Sequence, residues 1–465
     1  MQPDKDLFKL TSIDEHGGHI HIIPAEVSGF FRKHRTRVHL VLLFIFLCIP
    51  WIHFEGQQLI LLSIQRREFI FFGLIFKSHD APLIFLLLAS FTLGLAFVTS
   101  IWGRIWCGWA CPQTVFIDAV YRRIEIWTEG KYIERRRLNA DEMSFQKLRK
   151  KTLKWILFLF VSTLFAHSFV AYFTGSQELL TMIQGSPSEN WNYFLLIISF
   201  TGAIAFNFGW FREQFCVIMC PYGRIQSVLL EPSSLAVVYD QQRGEPRRNL
   251  VHKEKQTGDC VSCNRCVEVC PTGIDIRNGL QMECIACTAC IDSCDEIMTK
   301  LKKPTGLIGY KTIDGSKFRI WKVKTLFFGL LIFLAIDILV YNLKTRAPVE
   351  LAVLRAIETP YSEDFDSNGR AQIINHFRIH LTSQSEKDLK YEIELPDTDL
   401  KKELFLTVAQ NPFTLKARTE DTWHIFVRAA KDAVPKDGKI SFSIVIKSQD
   451  GFFTQRDLTF LGPLK

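Results

Sequence analysis

Long apolar stretches separated by charged loops limit what this chain can fold into more than any other feature of its sequence. A helix needs about 20 mostly apolar residues to cross a bilayer. Five stretches meet this requirement, the first of them by extending at its Trp51 end: 38–54, 83–102, 155–173, 193–210 and 326–343. They predict an α-helical membrane bundle of about five transmembrane helices.

A sixth apolar stretch, residues 59–76, does not fit this pattern. Gln65, Arg66, Arg67 and Glu68 lie in its middle, and each such charge costs about 3 kcal/mol at the centre of a bilayer. We therefore expect this stretch to be an interfacial or buried segment outside the membrane.

The basic residues set the expected orientation. The loop 103–154 holds twelve Lys and Arg residues, whereas the loop 174–192 holds none. Short loops rich in Lys and Arg stay in the cytoplasm, so the N-terminus, the 103–154 loop and the 211–325 segment are expected there. An odd number of spans then places residues 344–465 in the periplasm. The expected location is the inner (cytoplasmic) membrane of a bacterium.

The C-terminal segment alternates apolar and polar residues in short runs, with the turn sequences Asp437-Gly438 and Asp450-Gly451 between them. Such period-two alternation is typical of half-buried strands, and several short strands of this kind favour an Ig-like antiparallel β-sandwich. The apolar runs are Phe377, Ile379 and Leu381; Tyr391, Ile393 and Leu395; Trp423, Ile425 and Val427; Ile440, Phe442, Ile444 and Ile446; and Leu458 and Phe460.

Twelve of the 13 cysteines lie between Cys107 and Cys294. Clustering at short spacings indicates metal ligation in a reducing compartment rather than disulfides. Eight of them form two runs, Cys260-x2-Cys263-x2-Cys266-x3-Cys270-Pro271 and Cys284-x2-Cys287-x2-Cys290-x3-Cys294. This is the spacing of a bacterial-type 2[4Fe–4S] ferredoxin, in which the fourth cysteine of each run binds the other cluster.

The crossed pattern assigns four cysteines to each cluster and holds the two clusters close enough for fast electron transfer. Proline follows the first run, but Asp295 takes that place after the second. Zinc is the alternative, because Cys-x2-Cys pairs also bind Zn²⁺. The predicted ligands are Cys260, Cys263, Cys266 and Cys294 for cluster I, and Cys284, Cys287, Cys290 and Cys270 for cluster II.

Two further cysteine pairs lie where the second and fourth spans end. Each has the pattern Cys-x3-Cys-Pro after an arginine, Arg104 or Arg212, which makes a weak internal repeat. Residues i and i+4 of a helix share a face, and four thiols from two helix ends suit a soft ion such as Cu(I). The alternatives are that these are small buried apolar residues, or that the proline ends the helix first. The four cysteines are Cys107, Cys111, Cys216 and Cys220.

Two weaker features complete the set of candidate sites. His16, His19 and His21 form a run that can bind metal, although a solvated polar leader is the other interpretation. The run Arg135, Arg136 and Arg137 is interpreted as a topology signal or as a contact with anionic lipids.

In this order, the elements resemble the FixG/RdxA/CcoG family, the accessory proteins of cbb-type cytochrome c oxidase, to which the NapH and NosR polyferredoxins are related. The resemblance covers nearly the whole chain: the leader 22–35 with Pro24, both Cys-x3-Cys-Pro motifs, the ferredoxin segment and the C-terminal sandwich with residues 375–381. It implies reduction of Cu(II) to Cu(I) for the haem-copper centre of the oxidase. It also implies that the four membrane-edge cysteines are the copper motifs.

Three functions are consistent with these features. The first is a metalloreductase, in which electrons from an unidentified cytoplasmic donor reach Cu(II) at the membrane-edge thiols and Cu(I) passes to the copper-delivery factors of the oxidase. The second is a quinol-linked electron conduit of the NapH type, and the third is a non-catalytic assembly factor of the oxidase. No nucleic-acid partner is expected, and the oligomeric state is open, with a homodimer as one option.

The sequence predicts five domains in chain order. A cytoplasmic leader precedes a membrane domain that holds four spans and both thiol motifs. The cytoplasmic ferredoxin domain, the fifth span and the periplasmic Ig-like β-sandwich follow. Their expected bounds are 1–37, 38–211, 212–322, 323–343 and 344–465.

Overall fold

The computed structural model describes residues 21–54, 56–77, 80–247, 258–345, 349–356, 359–365, 369–383, 387–396, 404–417 and 419–464. The chain divides into two compact units, Met1–Val340 and Tyr341–Lys465. The first unit contains the membrane helices and the ferredoxin segment, and the second contains the C-terminal sheets.

The described residues contain fourteen α-helices and three π-helical turns. The π-helical turns are Ile117–Tyr121, Phe206–Phe211 and Phe215–Met219. The α-helices are α1 Phe30–Cys48, α2 Ala81–Trp102, α3 Ile105–Trp109, α4 Pro112–Phe116, α5 Arg122–Glu129, α6 Tyr132–Ala140, α7 Phe145–Thr174, α8 Ser176–Gln184, α9 Trp191–Ala205, α10 Pro221–Leu229, α11 Gln241–Gly244, α12 Arg265–Glu268, α13 Ala289–Lys300 and α14 Val323–Lys344.

Five helical segments are long and apolar enough to cross a membrane, and they are α1, α2, α7, α9 with its π-helical continuation, and α14. Four of the five apolar stretches lie within these segments, and the first, 38–54, extends past the end of its helical segment at Trp51. The prediction of five membrane helices is confirmed, whereas the predicted end of the first span is wrong because residues 53–54 form β1. All five begin earlier than predicted, and the difference is largest for α1, at Phe30 instead of residue 38, and for α7, at Phe145 instead of residue 155. The first turns of these two helices carry charged residues, which hydropathy alone assigns to loops.

The described residues also contain sixteen strands. They are β1 His53–Phe54, β2 Gln57–Gln58, β3 Ile60–Ser63, β4 Glu68–Phe71, β5 Leu74–Phe76, β6 Leu235–Tyr239, β7 Ile308–Thr312, β8 Val349–Arg355, β9 Ser362–Phe365, β10 Ala371–Ser383, β11 Leu389–Glu394, β12 Leu404–Val408, β13 Phe413–Leu415, β14 Glu420–Ala430, β15 Lys439–Ser448 and β16 Phe453–Leu461.

The sixth apolar stretch forms the antiparallel sheet β3-β4-β5 and is not a membrane helix. Its charged residues lie at the β3–β4 turn, where Arg66 is exposed and pairs with Glu178 of α8 at 2.9 Å. Leu61 of β3 and Ile70 of β4 are buried. Strand β3 packs on α7. The stretch is therefore apolar because one face of a small sheet is buried.

The ferredoxin segment lies between the antiparallel strands β6 and β7, which pair Leu235 with Thr312 at one end and Tyr239 with Ile308 at the other. Its core contains cluster cysteines beside aliphatic side chains such as Ile276 and Met298. The leader packs on this segment, because Ala25 N donates to Glu268 O at 2.8 Å. Residues 21–30 are thus part of the ferredoxin surface.

The second unit is a sandwich of two antiparallel sheets. One has the strand order β12-β14-β10-β8, with β9 beside β10, and the other has the order β13-β11-β15-β16. Alternate residues of both sheets form one core, which includes Phe377, Ile425 and Ile444. The predicted apolar runs fall within or next to β10, β11, β14, β15 and β16, so the predicted Ig-like sandwich is confirmed.

Candidate redox and metal centre

The two four-cysteine runs fold as two copies of one loop. Ser262 and Asn264, which flank the middle cysteine of the first run, have left-handed φ angles of 55° and 56°, and the equivalent Ala286 and Thr288 have 52° and 64°. Few residues other than glycine adopt such angles. Turns of this kind point successive backbone N–H groups into a concavity that binds anionic groups, including iron–sulfur clusters.

The last cysteine of each run lies near the thiols of the other run. Burial raises the pKa of Cys294 to about 12, and Cys266 is the thiol that adds most to this effect. Burial also raises the pKa of Cys270 to about 11, where Cys287 is the thiol that adds most. This placement is the one that crossed ligation requires, although the assignment of ligands to clusters stays a prediction.

The arrangement of the eight thiols suits two four-iron clusters better than zinc. A structural zinc site holds four ligand atoms about 2.0–2.3 Å from one ion, whereas the four cysteines of a cluster bind four different irons. Among the described residues, no three His, Cys, Asp or Glu side chains converge on a single-ion site. Five of the cysteines instead line one internal cavity, and they are Cys266, Cys270, Cys284, Cys287 and Cys290.

The two Cys-x3-Cys-Pro segments share one backbone conformation. Cys111 N donates to Trp106 O and Cys220 N donates to Phe215 O, both at 2.8 Å. Each of these two cysteines is extended, and the proline after it begins α4 or α10. The expectation that each thiol pair shares one regular helix face is wrong, because the hydrogen bond to the fifth preceding residue ends the helix before the second cysteine.

The repeat also aligns differently from the sequence interpretation. Arg212, with φ 52° and ψ −125°, occupies the position of Gly103, with φ 58° and ψ −131°. Arg104 therefore corresponds to Glu213, and its pairing with Arg212 was wrong. A sharp left-handed turn at this position ends both spans, and it is the conformation of the turn, rather than the arginine, that the two copies share.

The four membrane-edge thiols, which we call the thiol quartet, nevertheless lie close together. Burial raises the pKa of Cys107 to about 12, with contributions from the thiols of Cys111 and Cys220. Burial raises the pKa of Cys216 well above its usual range, and Cys111 and Cys107 add to that effect. Cys107 Sγ donates to Gln226 Oε1 at 3.6 Å. The two copies of the repeat thus bring their thiols together.

The thiol quartet borders directly on the cluster II loop, residues 282–290. A Cβ atom added to Gly108 would lie 2.4 Å from Ala286 O and 2.8 Å from Ile285 O, so only glycine permits this contact. The buried Arg35 connects the same two segments, because its Nε donates to Gly108 O at 2.8 Å and its Nη1 donates to Cys287 O at 3.2 Å.

Arg104 makes a second connection on the other side of the cluster II loop. Its Nη1 donates to the carbonyl oxygens of Met282 and Cys284, the latter at 3.3 Å. Its Nη2 donates to Gly223 O of α10 at 2.7 Å. The Arg104 guanidinium therefore connects the first Cys-x3-Cys-Pro segment, to which Arg104 is adjacent, with the helix that follows the second one and with the cluster II loop.

A network of buried ion pairs, which we call the charged network, lies behind the thiol quartet. Burial alone would raise the pKa of Asp118, but Arg35, Arg32 and Arg122 hold it well below its usual range. The network contains seven cations and four carboxylates among the described residues. The cations are Arg32, Arg35, Arg122, Arg135, Lys151, Lys154 and Arg212, and the carboxylates are Asp118, Glu125, Glu129 and Glu213.

Glu125 is the fully buried carboxylate of this network. It accepts from Arg212 Nη1 at 3.1 Å and from Arg135 Nη2 at 2.7 Å. Burial opposes its ionisation, but Arg212 and Arg135 lower its pKa to about 2. The interpretation of the run 135–137 as a contact with anionic lipids is wrong for Arg135, which is 3% exposed and also pairs with Glu129, whereas its role as a topology signal stays a prediction.

The histidine run of the leader is only partly described. His16 and His19 lie outside the described residues. His21 borders a surface cavity that is lined also by Tyr132 and Arg136, and no second histidine lines it among the described residues. A metal site in the leader stays a prediction.

Sequence reasoning missed Arg35, Gly108 and Asp118. Arg35 belongs to a basic run that counted only as an orientation signal, and Gly108 is the residue between the two tryptophans of the first thiol motif. Asp118 is a single carboxylate in an apolar stretch, which is often a buried partner of basic residues. Arg122 follows Asp118 at the local i,i+4 spacing, but Arg32 and Arg35 come from α1, so no local pattern identifies those two partners.

Three family models match the chain. A 4Fe-4S dicluster domain matches residues 211–313, and the Ig-like fold at the C-terminus of FixG matches residues 339–463. A 4Fe-4S binding domain matches residues 83–132, where Cys107 and Cys111 are the only cysteines. The first match agrees with the ferredoxin segment, and the second agrees with the C-terminal sandwich.

Three relatives from two organisms are similar over long regions. RdxB of Cereibacter sphaeroides is 39% identical over 64% of this chain and 63% of its own length. FixG of Rhizobium meliloti is 38% identical over 63% of this chain and 57% of its own length. RdxA of Cereibacter sphaeroides is 32% identical over 80% of this chain and 81% of its own length.

Among solved structures, a FixG-related protein from Vibrio parahaemolyticus covers 25% of this chain and 99% of its own, with 10% identity and a TM-score of 0.21. That score carries no structural argument. The similarity to RdxA extends over most of both chains, and the domain matches fall on the segments that the cysteine spacing and the strand pattern define. The chain therefore belongs to the FixG/RdxA family of membrane-associated iron–sulfur electron-transfer proteins.

Proposed function

We propose that this protein is a cupric reductase, which passes single electrons to Cu(II) at the thiol quartet and releases Cu(I). The observation that carries the proposal is the direct contact between Gly108, the residue after Cys107 of the thiol quartet, and the cluster II loop. Gly108 allows the two backbones to touch, and Arg35 donates to a carbonyl oxygen of each. An electron that reaches cluster II therefore has a short path to a copper ion bound at these thiols.

The [4Fe–4S] clusters, when bound, supply one-electron carriers. The chain contributes the copper site, in which each Cu(II) ion gains one electron and becomes Cu(I). Thiolates are soft ligands that bind Cu(I) better than Cu(II), so the thiol quartet favours the reduced ion. The described thiols do not converge on a preformed single-ion site, and copper itself would have to draw them together.

Proton release accompanies this binding. Because burial raises the pKa of Cys107 to about 12, the thiol is protonated at neutral pH in the absence of metal. The thiolate is the form that binds copper, so each thiol releases one proton when it binds the ion. Copper binding is therefore expected to strengthen as the pH rises toward that pKa.

The charged network supports the same direction of electron flow. It has more cations than carboxylates, and most of them are shielded from water. Charges interact more strongly in a poorly solvated interior than at the surface. The excess positive charge of this network stabilises the added electron on a nearby acceptor.

The proposal is tested by anaerobic Cu(II) reduction with cluster-loaded, pre-reduced protein in detergent. We expect about two Cu(I) ions per chain, one for each [4Fe–4S] cluster, captured by a Cu(I)-specific chromogenic chelator. Protein with oxidised clusters is the control, because thiols alone reduce Cu(II) when they form disulfides. Equal Cu(I) yields from the reduced and oxidised proteins would exclude the proposal.

The partners and the membrane orientation belong to the same proposal. The Cu(I) product is proposed to serve assembly of cbb-type cytochrome c oxidase in the bacterial inner membrane, with the ferredoxin segment in the cytoplasm and the sandwich in the periplasm. A reporter that is active only in the periplasm should be active when fused after Lys465 and silent when fused after Arg149. The reverse result would overturn the orientation.

One cavity favours a second candidate function, a quinol-linked electron conduit. It has a volume of about 150 Å³ and is lined mainly by apolar side chains, among them Leu230, which follows α10, and the exposed Met282. Its wall also includes Arg104 and the cluster II cysteine Cys284. Quinol oxidation there would release two protons and two electrons, and quinone that copurifies with the protein would favour this function.

A further inference from the structure

Two histidines on the outer face of the C-terminal sandwich lie in contact. In the register of β10 and β14, His376 is opposite Phe426 and His424 is opposite Arg378, so the two histidines are diagonal neighbours. Phe377 and Ile425, which follow them along the two strands, point into the core and are buried. Both imidazoles are therefore on the face of the sheet that points away from the core.

The two rings are close and one of them is held in orientation. His376 Nε2 lies 2.7 Å from His424 Nδ1, a distance at which the two nitrogens share one proton. The ring of His376 stacks on Phe426 at 4.5 Å between centroids and 16° between planes. The ring of His424 is exposed and can turn about its side-chain bonds.

We propose that His376 and His424 bind one Cu(I) ion in place of the shared proton. Imidazole nitrogen is a ligand for copper and zinc alike, but zinc takes four ligands in structural sites and three in catalytic sites. The pair supplies two nitrogens that face each other, which suits the linear two-coordinate geometry that Cu(I) accepts. One ring moves its proton to its other nitrogen, and the two facing nitrogens separate to about 4 Å, twice a metal–nitrogen bond.

The charge around the pair also favours a monovalent ion. Arg378 is the residue directly opposite His424, and Arg428 extends from the same face of β14, two residues beyond Phe426. Two guanidinium groups on this face repel a divalent cation about twice as strongly as a monovalent one at equal distance.

This site does not depend on the thiol quartet or on cupric reduction, so the test uses full-length, cluster-loaded protein in which Cys107, Cys111, Cys216 and Cys220 are replaced by Ser. Cu(I) is titrated anaerobically against a chromogenic chelator, and X-ray absorption identifies the ligand atoms. We expect one Cu(I) per chain with two nitrogen ligands. Iron content is measured in parallel, so that copper exchange into the clusters is detected.

Three single substitutions in this protein decide the assignment. His376→Gln and His424→Gln should each remove the nitrogen-bound Cu(I). His380→Gln is the matched control, because His380 is on the same strand and face but pairs with Thr422 Oγ1 at 2.7 Å, and it should retain the ion. Equal losses in all three variants, no loss in any, or Zn²⁺ binding as tight as that of Cu(I) would overturn the proposal.

Discussion

The ferredoxin segment and the thiol quartet both place cysteines in two copies of one backbone motif, but they differ in how the copies are built. The ferredoxin copies are 24 residues apart, measured from Cys260 to Cys284, and each is a loop with left-handed residues around its middle cysteine. The copies of the thiol quartet are 109 residues apart, measured from Cys107 to Cys216, and each ends a membrane span. Local backbone thus forms the first site, whereas tertiary packing forms the second.

The side chains that surround the two sites also differ. Aliphatic side chains cover the cluster cysteines, whereas the thiol quartet lies beside a dense set of buried ion pairs. A site formed by a loop keeps its ligands even when distant contacts change. A site formed by two helix ends depends on contacts that hold those ends together, such as the hydrogen bond from Arg104 to Gly223 O, and on the contacts of Arg35 and Gly108 with the cluster II loop.

The largest effect is expected from the ferredoxin cysteines. Replacing Cys263 and Cys287 with Ser removes one ligand from each predicted cluster, and both clusters should be depleted because crossed ligation couples their assembly. Wild-type protein should contain about eight irons and eight sulfides per chain, measured by chemical analysis and by the visible absorption of the clusters. A colourless wild-type protein that contains zinc would contradict the ferredoxin assignment.

Substitutions in the thiol quartet should remove copper without affecting the clusters. Replacing its four cysteines with Ser should remove the thiolate-bound Cu(I) and leave the iron and sulfide contents unchanged, because hydroxyls are poor ligands for Cu(I). Metal analysis of the purified variant measures both. If iron is lost together with copper, the four thiols serve cluster assembly, which the family match of residues 83–132 to a 4Fe-4S binding domain would then explain.

The contact between the two regions is tested at Gly108. In Gly108→Ala the new methyl group would collide with Ala286 O and push the thiol segment away from the cluster II loop. A displacement of this order should slow Cu(II) reduction by about 10- to 100-fold, while iron and copper contents stay close to wild type. Gly94→Ala is the matched control, because its Cβ atom would meet nothing within 4 Å, and it should reduce Cu(II) at the wild-type rate.

The smallest effect is expected from a change of pH on the charged network: the stability that Glu125 contributes should not change between pH 8 and pH 5. The folded pKa of Glu125 is lowered to about 2, so its contribution to stability is fully present above its unfolded pKa of about 4.3 and is lost only as the pH falls toward 2. Glu125→Gln removes the carboxylate that Arg212 pairs with and leaves Arg135 with Glu129; breaking a buried ion pair of this kind costs about 3–5 kcal/mol. The gap in thermal stability from wild type should be equal at pH 8, 6 and 5. A gap that closes between pH 8 and 6 would show that Glu125 is protonated in that range.

The sequence predicted those parts of the protein whose signal is local. The spacing of eight cysteines predicts two clusters because neighbouring loop residues hold the ligands. The alternation in residues 344–465 predicts the sandwich because each strand has one buried face. The five spans are predicted by their apolar length, whereas the first turns of α1 and α7 and the end of the first span were misplaced.

Other parts of the site depend on contacts between distant residues and carry no local signal. Arg35 and Cys287 lie 252 positions apart, and Arg104 and Cys284 lie 180 positions apart. A basic residue at the end of a span predicts orientation equally well whether it faces lipid or a carbonyl oxygen. The charged network was missed for this reason, since its arginines were counted only by their charge.

The most direct test of the account is a single-turnover measurement of cluster oxidation. Protein with reduced clusters is mixed anaerobically with Cu(II) in a stopped-flow instrument, and the return of cluster absorption is followed together with Cu(I) formation. The account predicts that the two signals have the same rate constant in wild type, and that replacing the thiol quartet with Ser slows both by about 10- to 100-fold without loss of iron. Cluster oxidation by Cu(II) at the wild-type rate in that variant would contradict the account, because copper would then receive its electron elsewhere.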